Sequence, residues 1–358
     1  YGGGGNIINS SVTNLSLNDD IQNMENLRIG GLVGYAVNGI TIQNSYIQNL
    51  NVETPDNYSI QAIGGVVGYL NAGTVQNVYA IGSITTSASN VGGIVGLNNG
   101  SIQDAYSLVN IYSKGRYIGG IVGNTVEGSS TASISNSLAL GDVYTSSDTA
   151  NIGRVVGNPS ATYTNSYAWS NQHINGELST VNSNILLSTS ELHETFTYTN
   201  RIFLGDTFDY SKVAEGILPK LYTTDKSELL SNQEDIYLPT REFEKKEIVV
   251  DNRITEGTIL LTLDNPNNYE ITEVTIKDLE IVSISRNTTN NGETILQIEV
   301  KPEKAFDSYR LTEIKYQTNG EERVSLQDIK IPLQFYKDLE TYEDWQEIST
   351  TEAENYRL

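Results

Sequence analysis

A six-residue glycine block recurs along the first half of the chain and constrains its fold more than any other feature. The block reads IGGLVG at 29–34, IGGVVG at 63–68, VGGIVG at 91–96 and IGGIVG at 118–123, and IGRVVG at 152–157 is an altered fifth copy. The copies start 34, 28, 27 and 34 residues apart, by subtraction. A period of roughly 20–50 residues is typical of solenoids, in which each unit buries its apolar side by stacking on its neighbours.

Glycine is what the copies share. It can supply a corner at positive φ or let two backbones approach closely, and the sequence leaves both readings open. Arg154 replaces the second glycine in the fifth copy, which suits a cap because no further coil need pack there. The shared glycines, which we predict to be structural, are Gly30, Gly31, Gly34, Gly64, Gly65, Gly68, Gly92, Gly93, Gly96, Gly119, Gly120 and Gly123.

A second element follows each block. It reads IQNSY at 42–46, VQNVY at 75–79, IQDAY at 102–106, ISNSL at 134–138 and YTNSY at 163–167, and third elements follow at 81–84, 108–111 and 140–143. Each is short, rich in β-branched residues and bounded by Asn, Gly or Ser, which are strand signals. The sequence therefore predicts an all-β fold in which three strands per repeat form the coils of a β-solenoid, or β-helix, over residues 1–185.

Stacked coils would place equivalent side chains ~4.8 Å apart. One row should be an amide ladder, interrupted where an ionised carboxylate can accept but not donate. A second row should be a stack of tyrosines, with Leu138 as its exception. Strand alternation further predicts that Ile42, Asn44 and Tyr46 share one face, and we expect Tyr46, Tyr79 and Tyr106 to point inward. The rows are Asn44, Asn77, Asp104, Asn136 and Asn165, and Tyr46, Tyr79, Tyr106 and Tyr167.

The second half of the chain lacks the repeat. Residues 186–240 are predicted to cap the solenoid and link it to an antiparallel β-sandwich or barrel over 241–336. Strands are expected at 247–250, 258–263, 272–277, 279–285, 294–300, 309–316 and 324–333, with turns between them. Residues 337–358 are expected to form a short helix, over 338–348, and the start of a further module.

The charge balance limits the partners. The net charge is −22, and 34 of the 44 acidic residues follow position 180. Such a surface repels phosphate backbones, so we expect no nucleic acid partner. The chain has no cysteine and no apolar stretch of the ~18–20 residues that span a membrane. A calcium role lacks the loop pattern D-x-[DN]-x-[DN]-G.

Catalytic motifs are also missing from the sequence. Its two histidines are His173 and His193, and HETFT at 193–197 carries only the first half of the zinc motif HExxH. The glycines lie in predicted strands rather than in a phosphate-binding loop before a helix. We therefore predict no catalytic residue, metal ligand or cofactor in this chain.

The glycine blocks resemble the GLUG repeat of bacterial surface proteins, best at 31–34 (GLVG). Residues 215–221 (EGILPKL) and 229–236 (LLSNQEDI) resemble the closing strand and linker that follow such solenoids in the IgA-specific zinc metalloprotease family of streptococci. DSYRLT at 307–312, IPL at 331–333 and FYK at 335–337 also resemble its N-terminal region. DWQEI at 344–348 and NYRL at 355–358 resemble the start of another GLUG solenoid.

This resemblance implies an extracellular virulence protein, secreted or attached to the cell wall. The parent enzyme would cleave immunoglobulin A with zinc held by HExxH in a catalytic domain outside this chain. This chain would then be an accessory region that recognises the antibody. Two alternatives stay open at this point. One is an adhesin or spacer stalk of a Gram-positive surface protein, and the other is a carbohydrate-binding solenoid with exposed aromatic rows.

Overall fold

The computed structural model describes residues 2–18, 25–54, 59–158, 161–175, 185–202, 204–241, 249–255, 258–265, 267–277, 279–288, 294–302, 310–318, 320–330, 337–338 and 356–357. The chain divides into two compact units, residues 1–238 and 239–358. The division predicted at 185 and at 240 stays a prediction.

The first unit is all-β and β-helix-like, because successive coils add parallel strands to the same sheets. The glycine blocks connect a third sheet to a first sheet, and the Asn–Tyr elements lie in a second sheet. The first sheet contains Gly2–Gly3, Val33–Val37, Val67–Leu70, Val95–Asn98 and Val122–Thr125. The third contains Glu25–Gly30, Ser59–Gly64, Asn90–Gly92, Tyr117–Gly119 and Asn151–Gly153.

The second sheet is formed by the longest strands of the unit. Its strands are Asn6–Ile8, Ser11–Thr13, Ser16–Asn18, Ile40–Glu53, Gly73–Thr86, Ser101–Ser113, Ser133–Ala139, Val143–Thr145, Tyr167–Trp169 and Leu186–Leu187. The register aligns Tyr46 with Tyr79 and Tyr79 with Tyr106, as the sequence repeat requires. Equivalent residues therefore lie over one another in consecutive coils.

The core of this unit is a column of aliphatic side chains enclosed by the three sheets. One row on the first sheet is Val33, Val67, Val95 and Val122, all buried. Parallel strand pairing joins the backbone of each coil to that of the next, and the rows bury β-branched side chains between coils. The repeat therefore needs its neighbours.

Residues 185–202 close the C-terminal end of the coil stack. Leu186–Leu187 pairs with Tyr167–Trp169, and a single helical turn, Thr189–Leu192, follows. Ser188 begins this turn with a capping box formed with Glu191. The buried indole of Trp169 donates a hydrogen bond to Thr189 Oγ1 over 2.9 Å. A π-helical turn, Thr197–Ile202, completes this end.

The rest of the first unit runs from Leu204 to Leu238 along the outside of the coils. It contains a short antiparallel pair, Phe208–Asp209 and Lys220–Leu221, and a 3-10 turn, Val213–Glu215. Gly216 ends that turn at φ 81°, a conformation that favours glycine. We call residues 204–238 the covering segment.

The second unit contains two antiparallel sheets that share one hydrophobic core. One sheet is formed by Val249–Thr255, Thr258–Asp264, Leu279–Thr288 and Thr294–Pro302, and the other by Glu270–Lys277, Arg310–Thr318 and Glu321–Lys330. The core lies between them and includes Leu263, Leu296, Ile298, Val274, Leu311 and Ile314. These sheets are the described part of the predicted antiparallel domain.

The predicted C-terminal helix at 338–348 lies outside the described residues except for its first position. That residue belongs to a two-residue strand, Lys337–Asp338, which pairs in parallel with Tyr356–Arg357.

Candidate functional site

The glycine blocks are places of close backbone approach and not of positive φ. None of the twelve shared glycines is among the residues with positive φ. A Cβ added at any of them would come within 3.0 Å of a backbone atom, such as Gly123 N at 2.7 Å from Gly92. The second glycine position of the fifth block can carry the Arg154 side chain because no sixth block follows it. The buried Arg154 guanidinium donates from Nη1 to the Gln172 carbonyl over 2.6 Å.

The corners at positive φ are instead the members of the asparagine row. Asn44, Asn77, Asp104, Asn136 and Asn165 have φ between 45° and 53°. Asn and Asp adopt this left-handed region more readily than other residues with a side chain, which explains their repetition. The expectation that Ile42, Asn44 and Tyr46 share one face is wrong. The left-handed corner interrupts the strand alternation, so Ile42 and Ile47 enter the core while Tyr46 lies outside it.

Side-chain hydrogen bonds join consecutive members of the asparagine row, with one interruption. Asn77 Nδ2 donates to Asn44 Oδ1 over 2.9 Å, and Asn136 Nδ2 donates to Asp104 Oδ1 over 2.8 Å. Asn165 Nδ2 donates to Asn136 Oδ1 over 3.3 Å. The buried Asn77 Oδ1, which precedes Asp104 in the row, has no hydrogen-bond partner. The row is therefore broken at the position where a carboxylate replaces an amide.

Tyrosines stack beside this row. The Tyr46 and Tyr79 rings are 5.0 Å apart, and the Tyr79 and Tyr106 rings are 4.8 Å apart, both nearly parallel. Leu138 follows Tyr106 in the register and Tyr167 follows Leu138. The prediction that Tyr46, Tyr79 and Tyr106 point into the coil core is wrong, because the covering segment buries them on its outside. Tyr167 is half-buried, and the Arg201 guanidinium lies over its ring at 5.4 Å.

The covering segment contacts both rows from the first coil to the coil of Tyr106. The hydroxyls of Tyr46 and Tyr106 donate to the carbonyls of Ser231 and Pro219 over 2.6 and 2.7 Å. The Tyr79 hydroxyl donates to Gln233 Oε1 over 3.0 Å. Burial raises the pKa of the Tyr79 hydroxyl far above its ordinary value, and the neighbouring tyrosines add to the shift. These hydroxyls therefore act as neutral hydrogen-bond donors.

Thr224 extends the contact to the first coil. Its backbone NH and its hydroxyl donate to Asn9 Oδ1 over 3.2 and 2.9 Å. Asn44 Nδ2 in turn donates to the Thr224 hydroxyl over 3.3 Å. Asn9 has φ 51° and precedes Asn44 in the register, so it is an additional first member of the asparagine row.

Three oxygen atoms converge where the covering segment passes the broken position. A Cβ placed on Gly205 would lie 3.3 Å from Asn77 Oδ1, 3.5 Å from Thr207 Oγ1 and 3.6 Å from Asp104 Oδ2. Asn77 and Thr207 are each 8% exposed, and neither of these two oxygens has a partner. Burial raises the pKa of the Asp104 carboxyl, although the bond from Asn136 opposes this shift. We call this arrangement the Gly205 node.

A second cluster lies on the first and third sheets and is partly open to solvent. The Arg28 guanidinium lies over the Tyr35 ring at 4.3 Å and near the Tyr69 ring at 5.4 Å from its centroid. Arg28 Nε donates to Gln61 Oε1 over 2.7 Å, and the two tyrosine rings are 5.2 Å apart. We call these four residues the Arg28 cluster. They form a half-buried cationic and aromatic surface on an acidic chain.

The two histidines have structural surroundings. His193 ends the helical turn Thr189–Leu192, and its Nδ1 lies 2.7 Å from the Thr189 carbonyl oxygen. His173 is buried, and its backbone NH donates to Asp142 Oδ1 over 2.8 Å. Within the described ranges, no group of three or more His, Asp or Glu side chains could hold a metal ion.

Sequence reasoning found both rows but missed what covers them. The signal in the sequence was the set of large apolar residues Phe208, Leu218 and Leu221, because a solvent-exposed linker has no reason to carry them. All three are almost fully buried in the structure. The Gly205 node had no sequence signal beyond Asp104, which departs from its asparagine row.

Comparison with known proteins finds one distant structural neighbour. No protein-family model matches the chain, and no curated protein matches it significantly. One solved structure, a 1.30 Å crystal structure of a protein from Bacteroides ovatus provisionally described as an immunoglobulin A1 protease, is 17% identical, with a TM-score of 0.38. The match covers 57% of this chain and 76% of that one. At these values the likeness supports no conclusion about fold or activity. No helix among the described residues is long and apolar enough to cross a membrane.

Proposed function

We propose that this chain is a non-catalytic accessory region of a secreted bacterial zinc metalloendopeptidase that cleaves immunoglobulin A, and that it recognises the antibody. The proposal rests on the resemblance of residues 215–358 to that family, while the glycine blocks resemble a repeat that many bacterial surface proteins share. Zinc would be bound in a part of the parent enzyme outside this chain.

The observation that carries a recognition role is the register-locked stack of coils. Parallel pairing aligns Val67 with Val33 and with Val95, so every outer side chain of a coil also has a fixed place relative to the next coil. A surface ordered before binding loses little conformational entropy when a partner docks. A rigid array of this kind favours recognition over catalysis.

The Arg28 cluster is the surface that we assign to the antibody. Arginine and tyrosine are enriched among the residues that dominate binding energies at protein interfaces. Arg28 is held by two rings and by Gln61, so its guanidinium is already oriented. Tyr46, Tyr79 and Tyr106 cannot serve in its place, because the covering segment buries them.

Surface plasmon resonance with immobilised immunoglobulin A tests this proposal. We expect the chain to bind, and Arg28→Ala to weaken binding at least ~10-fold, which is about 1.4 kcal/mol. Arg116→Ala is the matched control, because Arg116 also lies over a tyrosine, Tyr117, at 5.0 Å. It should bind like the wild type.

Deletion of the region from the parent enzyme provides a second measurement. Cleavage of intact antibody should slow, while cleavage of a short hinge peptide should not change. A chain that does not bind the antibody, together with a deletion that leaves antibody cleavage unchanged, contradicts the recognition role.

Carbohydrate binding is a second candidate, which the half-exposed Tyr35 and Tyr69 rings favour. Aromatic rings with an adjacent guanidinium and amide can stack on and hydrogen-bond to a sugar. A glycan array separates the two candidates, since Tyr69→Ala should remove glycan binding in the second case.

A further inference from the structure

The interrupted position of the asparagine row presents an electrostatic problem. The direction of the Asn77 amide is fixed, because its Nδ2 donates to Asn44 Oδ1. Asn77 Oδ1 therefore faces towards Asp104, which offers only acceptors when it is ionised. Two acceptors side by side in a largely buried place repel one another, and a buried polar atom without a partner costs about 1–3 kcal/mol.

The covering segment adds a hydroxyl to this place that makes no hydrogen bond to either acceptor. Thr207 Oγ1 has no partner, and its position is set by a loop that the Tyr210 hydroxyl holds through the Leu204 and Gly205 carbonyls, over 3.0 and 2.8 Å. A side chain at Gly205 would crowd the three oxygens, because its Cβ would lie 3.3 Å from the nearest of them. An amide oxygen, a carboxylate oxygen and a hydroxyl are the ligand types that hard cations prefer.

The surrounding charges also favour a cation. Asp206 follows Gly205 and is paired with Lys226, and Asp104 and Asp206 both raise the pKa of the Tyr210 hydroxyl, after burial. The carboxylate of Asp104 is therefore near this loop, and the side chain that donates to it is the neutral amide of Asn136. Gly205 is half-buried, so water can complete a coordination shell from the solvent side.

We propose that the Gly205 node binds a hard cation, for which Ca²⁺ is the probe, through Asn77 Oδ1, Asp104 Oδ2 and Thr207 Oγ1. The ion offsets the repulsion between the oxygens and fixes the covering segment to the coils. A site with one carboxylate and several water ligands binds weakly, at Kd values of roughly 10⁻⁴–10⁻³ M. This inference does not depend on the proposed function.

Thermal unfolding of the whole chain, with ~10 mM CaCl₂ or with a chelator, tests the site. We expect calcium to raise the Tm by roughly 2–4 °C. Gly205→Ala places a methyl group 3.3–3.6 Å from the three oxygens, which hinders the approach of an ion to them, and Thr207→Val removes a ligand. Both keep the net charge, and we expect the first to abolish the calcium effect and the second to reduce it.

Asp104→Asn gives the sharpest result. It should abolish the calcium effect and yet raise the Tm in chelator, because the new amide can donate to Asn77 Oδ1. Asn165→Asp is the matched control, since it places a carboxylate at the exposed end of the same row and should retain the wild-type response. An equal calcium response in wild type and Gly205→Ala, or no response in wild type, overturns the proposal. A water molecule, or a proton on Asp104, would then supply the donor that Asn77 Oδ1 lacks.

Discussion

The two units of this chain are both all-β, but the repeated glycines of the first and the turn glycine of the second are needed for different reasons. In the coils, glycines of the repeated block remove side chains where backbones touch. In the antiparallel unit, Gly320 lies in a turn at φ 80° with no atom near the place of its missing Cβ. The first use is steric. The second is conformational, as it also is at Gly216 in the covering segment. The comparison shows that stacking of the glycine blocks depends on space, whereas a turn depends on backbone conformation.

Gly92→Ala should have the largest effect. Its added methyl would meet Gly123 N at 2.7 Å in a rigid part of the backbone, so we expect a loss of more than about 4 kcal/mol in the stability of the first unit. Gly320→Ala in the second unit should cost only about 1 kcal/mol, because its space is open. Chemical denaturation followed by circular dichroism compares the two. Equal losses would remove the distinction between the units.

Asn44 should show an intermediate effect that separates conformation from hydrogen bonding. Asn44→Ala leaves the buried Asn77 Nδ2 without its acceptor and places alanine at φ 49°, so we expect a loss of about 2–3 kcal/mol. Asn44→Gly also removes the acceptor but adopts φ 49° without strain, so its loss of stability should be about 1 kcal/mol smaller than that of Asn44→Ala. If the two variants are equally stable, the left-handed corner is not a reason for the repeated asparagine.

Glu313 should have the smallest effect on stability, and this effect should appear only as a dependence of the unfolding free energy on pH. Burial raises the pKa of its carboxyl to about 6, Lys315 opposes the shift, and Glu273 and Glu322 add to it. The folded unit holds this proton more tightly than the unfolded chain, so its stabilising contribution is present below the ordinary pKa of 4.5 and is lost as pH rises through about 6.

Urea unfolding of the second unit at a series of pH values measures this loss, which should be about 1–2 kcal/mol. Glu313→Gln should reduce the decline between pH 4.5 and 6 and should unfold at higher urea than the wild type at neutral pH. A wild-type profile that does not fall over this interval contradicts the raised pKa of the half-buried Glu313 carboxyl.

Much of the fold could be read from the sequence because the repeat reports backbone constraints directly. The glycine blocks, the strand positions of the second unit, such as Thr258–Asp264 and Thr294–Pro302, and the break at Asp104 were all visible. The side of the strand on which Ile42 and Tyr46 lie could not be predicted. Strand alternation assumes an uninterrupted strand, and the left-handed corner at Asn44 interrupts it. The Gly205 node could not be predicted, since its oxygens come from residues 77, 104 and 207, which only the folded chain brings together.

The bond between Thr224 and Asn9 joins positions 215 residues apart. Repeat arrays with only neighbour contacts can fray from an end, one coil at a time. Here the covering segment contacts several coils at once, from the coil of Asn9 to that of Tyr106, so loss of one of these coils also loosens the segment. We therefore expect these coils to unfold in one cooperative step, and to fold slowly because the contact with Asn9 closes a loop of 215 residues.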